Sequence, residues 1–385
     1  MNLFQLFLIS LKLGITSFGG PSAHLGFFQQ MYVNKQRWIK NEDYAQLVAL
    51  AQFLPGPASS QVGIAIGYYK AKILGSIVSF IGFTAPSALF LMGFALWLNN
   101  NPLSTNFSWI QGLKLVAVVI VFHAILTMKT SIIKSKLQWA IFISSTAVIL
   151  FITVPFIHLY VLLLAILVGL FIRIENGTKE NKTPFLLSKK NGIIFLSIFF
   201  FLLIILPLST LVTNNSTIHL LDSFYRTGAL VFGGGHVVLP LLQTEFVNTN
   251  LIDESIFLAG YGMTQAMPGP LFTFATFIGT SLHGVLGGII ATFAIFLPGY
   301  LLILGVYPFW QWCMNNARLQ TSIQLMNAAV IGLLAAIWLD PIIVTTISSF
   351  KDVVFIAILA IAYLKLKVTP IILVISSLLI GIIFY

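Results

Sequence analysis

Long apolar segments, separated by short polar connections, run through almost the whole chain of 385 residues. Segments of this length and polarity are typical of membrane-spanning helices. The longest polar stretch, Arg173–Asn191, is too short for a water-soluble domain, and we interpret it as a linker. The predicted spans are 73–98, 108–128, 137–154, 156–172, 192–212, 285–307, 320–339, 352–364 and 369–385.

Other apolar pieces are too short to cross a bilayer singly, because a spanning helix needs about 20 residues. Residues 44–54 and 58–69 flank Pro55-Gly56-Pro57, and basic loops on both sides of this pair indicate that it enters and leaves on one face. We therefore predict a re-entrant hairpin, a path tolerated only where protein or a watery cavity surrounds it. Residues 3–18 and 22–33 follow the same pattern, and tilted full spans are the open alternative.

The sequence contains an internal repeat. Residues 11–34 recur at 225–248, and Gln52–Pro57 recurs at Gln265–Pro270. Each half thus carries one cation before a glycine-rich break and one Pro-Gly-Pro break further on. Paired helix breaks of this kind are typical of transporters whose substrate site lies at the repeat interface. The predicted tips of the breaks are Gly19–Pro21, Pro55–Pro57, Gly233–Gly235 and Pro268–Pro270.

Basic residues are concentrated in the first half, where residues 1–192 hold 15 of the 20 Lys and Arg residues. By the positive-inside rule, the first-half loops and the N-terminus are cytoplasmic and the matching second-half loops are external. The fold class that follows is an all-α integral membrane protein with two inverted-topology repeats, whose broken or re-entrant helices meet near the bilayer midplane. The predicted parts are a first repeat at 1–173, a cytoplasmic linker with an unpaired helix at 174–213, and a second repeat at 214–385.

Composition excludes several other classes of protein. With 58% hydrophobic and 8% charged residues, the chain falls among integral membrane proteins, and its net charge of +10 lies in short loops rather than in a nucleic-acid surface. Cys313 is the lone cysteine, which excludes an intrachain disulfide, and the histidines lack metal-ligand spacing. No nucleotide fingerprint or nucleophile–base set occurs. We expect no metal, no cofactor and no enzymatic activity. Because no ATP-binding motif occurs, any pumping is expected to use ion gradients.

Two cations occupy matching positions inside apolar helices, Lys12 in the first half and Arg226 in the second. A charge at bilayer depth costs about 2.5–3.5 kcal/mol on insertion scales, so it is rarely retained without a function. We predict that both cations attract an anionic substrate, and that Asp222, four residues earlier, pairs with Arg226. The alternative is that they reach the membrane interface or lock the fold.

The breaks themselves are candidate anion sites. Pro57 and Pro270 are placed as first-turn residues of the following helices, whose free amides and partial positive charge would then face the tip. The alternative is that the Pro-Gly-Pro motif only separates two helices. The residues predicted to contact the substrate through backbone or side chain are Gly19, Gly20, Gln52, Gly56, Ser59, Ser60, Gln61, Gly233, Gly234, Gln265, Gly269 and Thr273.

Three titratable residues lie close to these motifs. His24 and His236 follow the glycine-rich breaks, and Glu245 precedes an acidic loop. Because histidine titrates near neutral pH, the two histidines are candidates for proton coupling. Glu245 is a comparable acidic candidate. The alternative for each histidine is an ordinary packed polar residue.

Several motifs in the same order resemble the chromate ion transporter family in its two-repeat form. They are Lys12-Leu13-Gly14, Ser17-Phe18-Gly19-Gly20-Pro21, His24-Leu25-Gly26, Gln52–Pro57, Phe232–Leu242 and Thr264–Pro270. The resemblance implies an inner-membrane protein with inverted halves that exports chromate, a tetrahedral oxyanion, and thereby confers chromate resistance. One departure is Gln29-Gln30-Met31, where the family is expected to favour a basic-acidic run; the second half keeps Glu245 there.

Two other functions stay open at this point. The first is transport of another oxyanion, such as sulfate, on the same scaffold. The second is a membrane enzyme or lipid-handling protein, which would need carboxylates or a nucleophile at tips that carry Gly, Pro, Ser and Gln instead. The expected partners are a small inorganic oxyanion and the lipid bilayer, without nucleic acid; a homodimer is left open.

Overall fold

The computed structural model describes residues 2–17, 20–101, 108–152, 154, 157–172, 188–213, 215–231, 238–310 and 316–385. Within these ranges all regular secondary structure is helical. The first-half helices are α1 (Leu3–Thr16), α2 (Gly20–Phe28), α3 (Asn41–Phe53), α4 (Ala58–Asn100), α5 (Ser108–Ile132), α6 (Lys136–Phe151) and α7 (Ile157–Phe171).

The rest of the chain adds helices of similar length. They are α8 (Lys189–Val212), α9 (Ser216–Leu230), α10 (Val238–Leu242), α11 (Glu254–Ala266), α12 (Phe274–Val306), α13 (Ala317–Ile337), α14 (Val344–Thr346), α15 (Phe350–Leu364) and α16 (Pro370–Phe384). Short 3₁₀ or π turns occupy Gln29–Lys35, Gln243–Val247, Leu271–Thr273, Tyr307–Phe309 and Trp338–Ile343. Each apolar span predicted from the sequence corresponds to a helix or to one limb of a longer helix.

Five of the described helical segments are long and apolar enough to cross a membrane. Among them α8 is the most exposed, since only 11% of its apolar window is buried, as expected for a helix that faces lipid. These helices confirm the predicted all-α integral membrane class. The re-entrant path of the shorter pieces stays a prediction.

The two longest helices are sharply bent at matching positions. Backbone angles leave the helical region at Ala71 and Lys72 in α4, and at His283 and Gly284 in α12. In α4 the limbs on either side fold against each other, because Ser79 Oγ on the second limb donates to the Gly63 carbonyl on the first at 2.9 Å. The first limb of α4 is therefore a separate short helix, which agrees with the predicted piece at 58–69.

The chain forms two compact units, and each unit combines segments from both halves of the sequence. One contains Met1–Leu113, Thr183–Pro308 and Thr369–Tyr385, and the other contains Lys114–Lys182 and Phe309–Val368. The described parts of every repeated motif lie in the first of these units.

The second unit is built on α13. Its Gly332 carbonyl accepts a hydrogen bond from Thr146 of α6 at 3.2 Å, and a Cβ at Gly332 would meet the α6 backbone. Further along the chain, Trp338 donates its indole N–H to the Val118 carbonyl at 2.9 Å and stacks on Phe122. Close backbone approach at a small residue such as Gly332 is typical of helix packing inside membranes.

Candidate functional site

Each Pro-Gly-Pro motif separates two helices. The glycine of each motif has a backbone conformation that L-amino acids with a side chain rarely adopt. Gly56 has a φ of +113° and Gly269 has a φ of +101°. Without a Cβ, glycine adopts such angles at little steric cost. Pro57 and Pro270 stand one residue before the helical segments that follow, so they precede the first turn rather than form part of it.

The two breaks are fixed by reciprocal hydrogen bonds between the halves. Gly56 donates its backbone N–H to the Val231 carbonyl at 2.7 Å, and Gly269 donates to the Ser17 carbonyl at 3.0 Å. Val231 and Ser17 occupy the same position in the repeat, at the C-terminal ends of α9 and α1. Each break therefore caps the first helix of the other half, and we call these two contacts the junctions.

A second pair of contacts repeats this exchange. A Cβ at Gly56 would lie 3.1 Å from Gly299 Cα, and a Cβ at Gly269 would lie 2.9 Å from Ser87 Oγ. Gly299 and Ser87 each follow a proline inside a long helix, Pro298 in α12 and Pro86 in α4. Sequence reasoning missed these packing partners. The matching prolines were the signal that could have found them.

The first junction is the contact of Gly56 with Val231, and the second is the contact of Gly269 with Ser17. The first junction leads directly into the start of α4, where the side chains are polar and buried. Ser59 and Ser60 are 2% exposed and Gln61 is 0% exposed. The first helical hydrogen bond runs from Gln61 N–H to the Pro57 carbonyl at 2.9 Å, so the amides of residues 58–60 have no acceptor within the helix. Free amides and the helix dipole give this helix start a partial positive charge.

His24 lies at the same helix start. Its Nδ1 is 3.3 Å from Ser59 Oγ, and its ring packs edge-on against Phe83. The side chain is 1% exposed. The structure thus brings together a predicted proton-coupling residue and a predicted substrate-binding residue from separate motifs.

Several buried side-chain polar atoms of the first half have no hydrogen-bond partner among the described residues. They include the hydroxyls of Ser17, Ser60 and Thr84 and the side-chain oxygen of Gln61. The amide nitrogen of Gln61 donates to the Pro55 carbonyl at 2.8 Å and to the Gly299 carbonyl at 3.3 Å. The hydrogen-bond donors of the Gln61 side chain therefore stabilise the break, whereas the Ser60 hydroxyl remains able to bind a ligand. Buried unpaired polar groups of this kind call for a functional explanation.

The second junction is more apolar than the first. Phe272, Thr273 and Phe274 follow its break where the first half has Ser59, Ser60 and Gln61. The Thr273 hydroxyl donates to the Pro270 carbonyl at 2.7 Å. The polar side chains that could hold a small anion are thus concentrated at the first junction.

The two predicted cation anchors lie in different environments. Arg226 forms a two-pronged contact with Glu245, at 2.8 and 3.1 Å, and donates to Asp222 at 3.0 Å. Ser223 also donates to Glu245, at 3.1 Å. The predicted Asp222–Arg226 pair is confirmed, and Glu245 is an additional partner. Lys12, by contrast, is exposed.

The remaining predicted residues are distributed as follows. Gln52 is exposed and Gln265 is half-buried, while Gly20 begins α2. Gly19, Gly233, Gly234 and His236 lie outside the described residues. No group of three or more metal-ligating side chains occurs among the residues that the structure describes.

Comparison with known proteins identifies a family and relatives that span most of the chain. The family model described as "Chromate transporter" matches residues 4–170 and 218–382, one match in each half. A chromate transport protein of Pseudomonas aeruginosa is 26% identical over 357 residues, which cover 88% of this chain and 81% of the relative. A chromate transport protein of Cupriavidus metallidurans is 27% identical, over 86% of this chain and 80% of the relative.

A further relative also covers most of the chain. An uncharacterised transporter of Methanocaldococcus jannaschii is 25% identical over 345 residues, which cover 88% of this chain and 83% of the relative. No solved structure matches the chain. The double family match, the relatives that span most of the chain and the membrane-length helices lead to one conclusion: this multi-pass membrane protein belongs to the chromate transporter family.

Proposed function

We propose that the protein is a secondary transporter that exports chromate across the cytoplasmic membrane and so confers chromate resistance. In this proposal the N-terminus is cytoplasmic, and transport uses the membrane potential, the proton gradient or both. The observation that carries the proposal is the first junction, where a buried helix start offers free amides and hydroxyls to an anion.

The junction suits a tetrahedral oxyanion for a physical reason. An oxyanion accepts several hydrogen bonds, and helix N-terminal amides supply donors together with a favourable dipole. Ser59 and Ser60 add hydroxyl donors beside these amides, both almost fully buried. Uncharged donors bind a dianion without an adjacent fixed cation, which keeps binding reversible, as transport requires.

The membrane potential favours export over uptake of a dianion. Moving one elementary charge through 100 mV is worth about 2.3 kcal/mol, so a dianion leaving a negative interior gains about 4.6 kcal/mol. Uptake against the same potential would need co-transported cations. Export is therefore the direction that needs no additional coupling.

Arg226 has a conditional role in this proposal. Two carboxylates face its guanidinium, so the cluster carries one net negative charge when both are ionised. An oxyanion would gain contact with Arg226 only when a proton neutralises a carboxylate or when a carboxylate moves away. Such a requirement would couple proton and anion binding, with Glu245 or Asp222 as the proton acceptor and with His24 and His236 as further candidates.

The proposal is tested by flux of radiolabelled chromate into inside-out proteoliposomes with an imposed potential. We compare the wild type with Ser60→Ala and with Ser144→Ala, whose exposed hydroxyl donates only to the Ile141 carbonyl of its own helix. A hydrogen bond to a charged group contributes about 1.5–3 kcal/mol, so Ser60→Ala should lower the substrate affinity by about 10–100-fold. Ser144→Ala should leave both flux and affinity unchanged.

Two results would count against the proposal. Wild-type kinetics in Ser60→Ala would remove the first junction as the site. Flux of sulfate without flux of chromate would keep the anion site and favour the alternative, a transporter of another oxyanion. Chromate accumulation that resists excess sulfate would support chromate as the transported anion.

A further inference from the structure

A cavity lies at the turn between α2 and α3, apart from the two junctions. Its volume is about 750 Å³, and its lining includes Arg37, Trp38, Lys40, Asp43 and Tyr69. Asp43 supplies a carboxylate, while two cations extend from the loop before α3. Since this volume is far larger than a bare oxyanion, the cavity has room for a hydrated anion or for a larger group that carries an anionic head.

A third cation is held against the aromatic wall of the cavity. The ammonium of Lys70 lies 5.3 Å above the Trp38 ring and 5.7 Å from the Tyr69 ring. Trp38 in turn stacks on the buried Tyr32, with ring centroids 5.4 Å apart. Cation–π contacts with a supported ring hold Lys70 beside the cavity opening.

Two cations of the first half, Arg37 at the cavity and Lys72 at the bend of α4, stand at positions where the backbone conformation favours other residue types. Arg37 has a φ of +51°, a left-handed conformation that favours glycine or asparagine. The matching residue in the second half is Asn250, with a φ of +58°. Lys72 has a φ of +53°, and its counterpart is Gly284, with a φ of +62°. The second half thus uses the favoured residue type at both positions, and the first half uses a cation.

Lys40 repeats this pattern at a helix start. It occupies the N-cap of α3, where its side chain makes no capping hydrogen bond. The matching residue Asp253 caps α11 and accepts a hydrogen bond from Ser255 N–H at 2.8 Å. A cation at a helix N-terminus is unfavourable with respect to both capping and the helix dipole. Lys40 therefore gives the first turn of α3 no side-chain cap.

The positive-inside rule alone does not explain these positions. Topology depends on the number of cations in a loop, and exposed neighbours such as Asn34 could carry a charge without a backbone cost. Two cations of the cavity lining, Arg37 and Lys40, stand at positions that favour another residue type, which indicates that the location of the charge matters. A ligand that binds to these side chains would account for them.

We propose that this cavity binds a tetrahedral oxyanion group. The ligand is either the free substrate dianion, collected before it reaches the first junction, or the phosphate of an anionic lipid; both present the same chemistry to Arg37, Lys40 and Lys70. As a loading site for substrate, the cavity rests on the proposed function. α3 connects the two places, because it starts at the cavity and ends at the first Pro-Gly-Pro break, about 20 Å away for 13 helical residues.

The test exchanges the cations for the residues that the second half uses. Arg37→Asn and Lys40→Asp should fold at least as stably as the wild type, because they introduce the favoured left-handed residue and the favoured N-cap. Lys35→Asn is the matched control, since it removes one exposed charge from the same loop outside the cavity lining. Melting temperatures of the purified full-length proteins check the folding.

Binding is measured on the full-length protein in nanodiscs of phosphatidylcholine, with radiolabelled phosphate and sulfate as probes. Each exchange should weaken binding at this site by about fivefold or more at low salt, and the loss should diminish at high salt. In flux assays, a loading site for substrate predicts a higher KM for chromate with an unchanged kcat. The Lys35→Asn variant should match the wild type in each assay.

The lipid source is tested in parallel by native mass spectrometry with added phosphatidylglycerol. Fewer retained phosphatidylglycerol molecules in Arg37→Asn than in Lys35→Asn, with unchanged KM, would assign the site to lipid. Equal anion binding, equal lipid retention and equal KM in all variants would overturn the proposal. Absence of chromate flux in the wild type would count against the proposed function alone, because anion and lipid binding at the cavity are measured without flux.

Discussion

At the scale of single residues, the two matching cations differ because their neighbours differ. Arg226 is surrounded by Asp222 and Glu245, whereas the positions that match these acids in the first half hold Leu8 and Met31. The guanidinium contacts two carboxylates in a chain with few charges, and the whole Arg226 side chain is 23% exposed. Its first function is therefore to pair with two carboxylates within an apolar protein.

This arrangement predicts a specific response to mutation of Arg226. Arg226→Ala leaves two partly buried carboxylates without their cation, which should cost about 3–5 kcal/mol of stability and abolish export. The neutral triple variant with Asp222→Asn, Arg226→Gln and Glu245→Gln should regain most of the stability, because no uncompensated charge remains. Thermal unfolding in detergent and chromate flux in proteoliposomes measure the two effects separately.

The triple variant separates the anchor role from the structural role. If Arg226 contacts the anion, the triple variant stays inactive although it is stable. Recovery of export together with stability would show that Arg226 only locks the fold. Lys12→Gln is a useful comparison because Lys12 is exposed, and its loss should leave the melting temperature unchanged.

The polar residues of the first junction were predictable as a set, but their partners were not. Sequence reasoning placed Gly56, Ser59 and Ser60 at a helix break, and the structure adds His24 beside them. The carbonyl acceptors at Ser17 and Val231 depend on an exchange between halves that only the three-dimensional arrangement reveals. A backbone carbonyl carries no residue-type signal, which is why this part of the site could not be read from the sequence.

At the scale of elements, the helix break around Gly56 joins α3 to the polar start of α4. Its geometry depends on the positive φ of Gly56 and on the hydrogen bond to Val231. The same residue packs on Gly299 of α12, so a side chain at this position has little space. Apolar periodicity predicted the two helices, whereas the packing of the break required knowledge of its neighbours.

Gly56→Ala should therefore damage both stability and transport. A Cβ is unfavourable at this φ and would press on Gly299, so we expect a loss of more than about 1 kcal/mol and a strong decrease in chromate flux. Gly26→Ala is the matched control in α2, where a Cβ would meet no atom within 4 Å and alanine should stabilise the helix. A Gly56→Ala variant with normal melting temperature and flux would contradict this account.

At the scale of the whole molecule, the two halves are joined by exchanged contacts. Each break binds the end of the first helix of the other half, so neither half completes its own junction. Exchanged contacts between matching positions are the arrangement expected of two repeats related by an approximate twofold axis. The repeat and the difference in charge between its two copies are visible in the sequence. Which positions of the two copies contact each other is visible only in the structure.

The opposite orientation of the two halves can be measured directly. Replacing Cys313 by Ser gives a cysteine-free background, into which Asn34→Cys and Asn248→Cys are introduced separately. These exposed residues occupy matching positions after the first motif of each half. A membrane-impermeant maleimide should label Asn34→Cys only in inside-out vesicles, and Asn248→Cys only in intact cells, because the positive-inside rule predicts a cytoplasmic location for the basic first-half loop. Labelling of both from one side would exclude inverted repeats, and the exchanged junctions would then relate two halves of the same orientation.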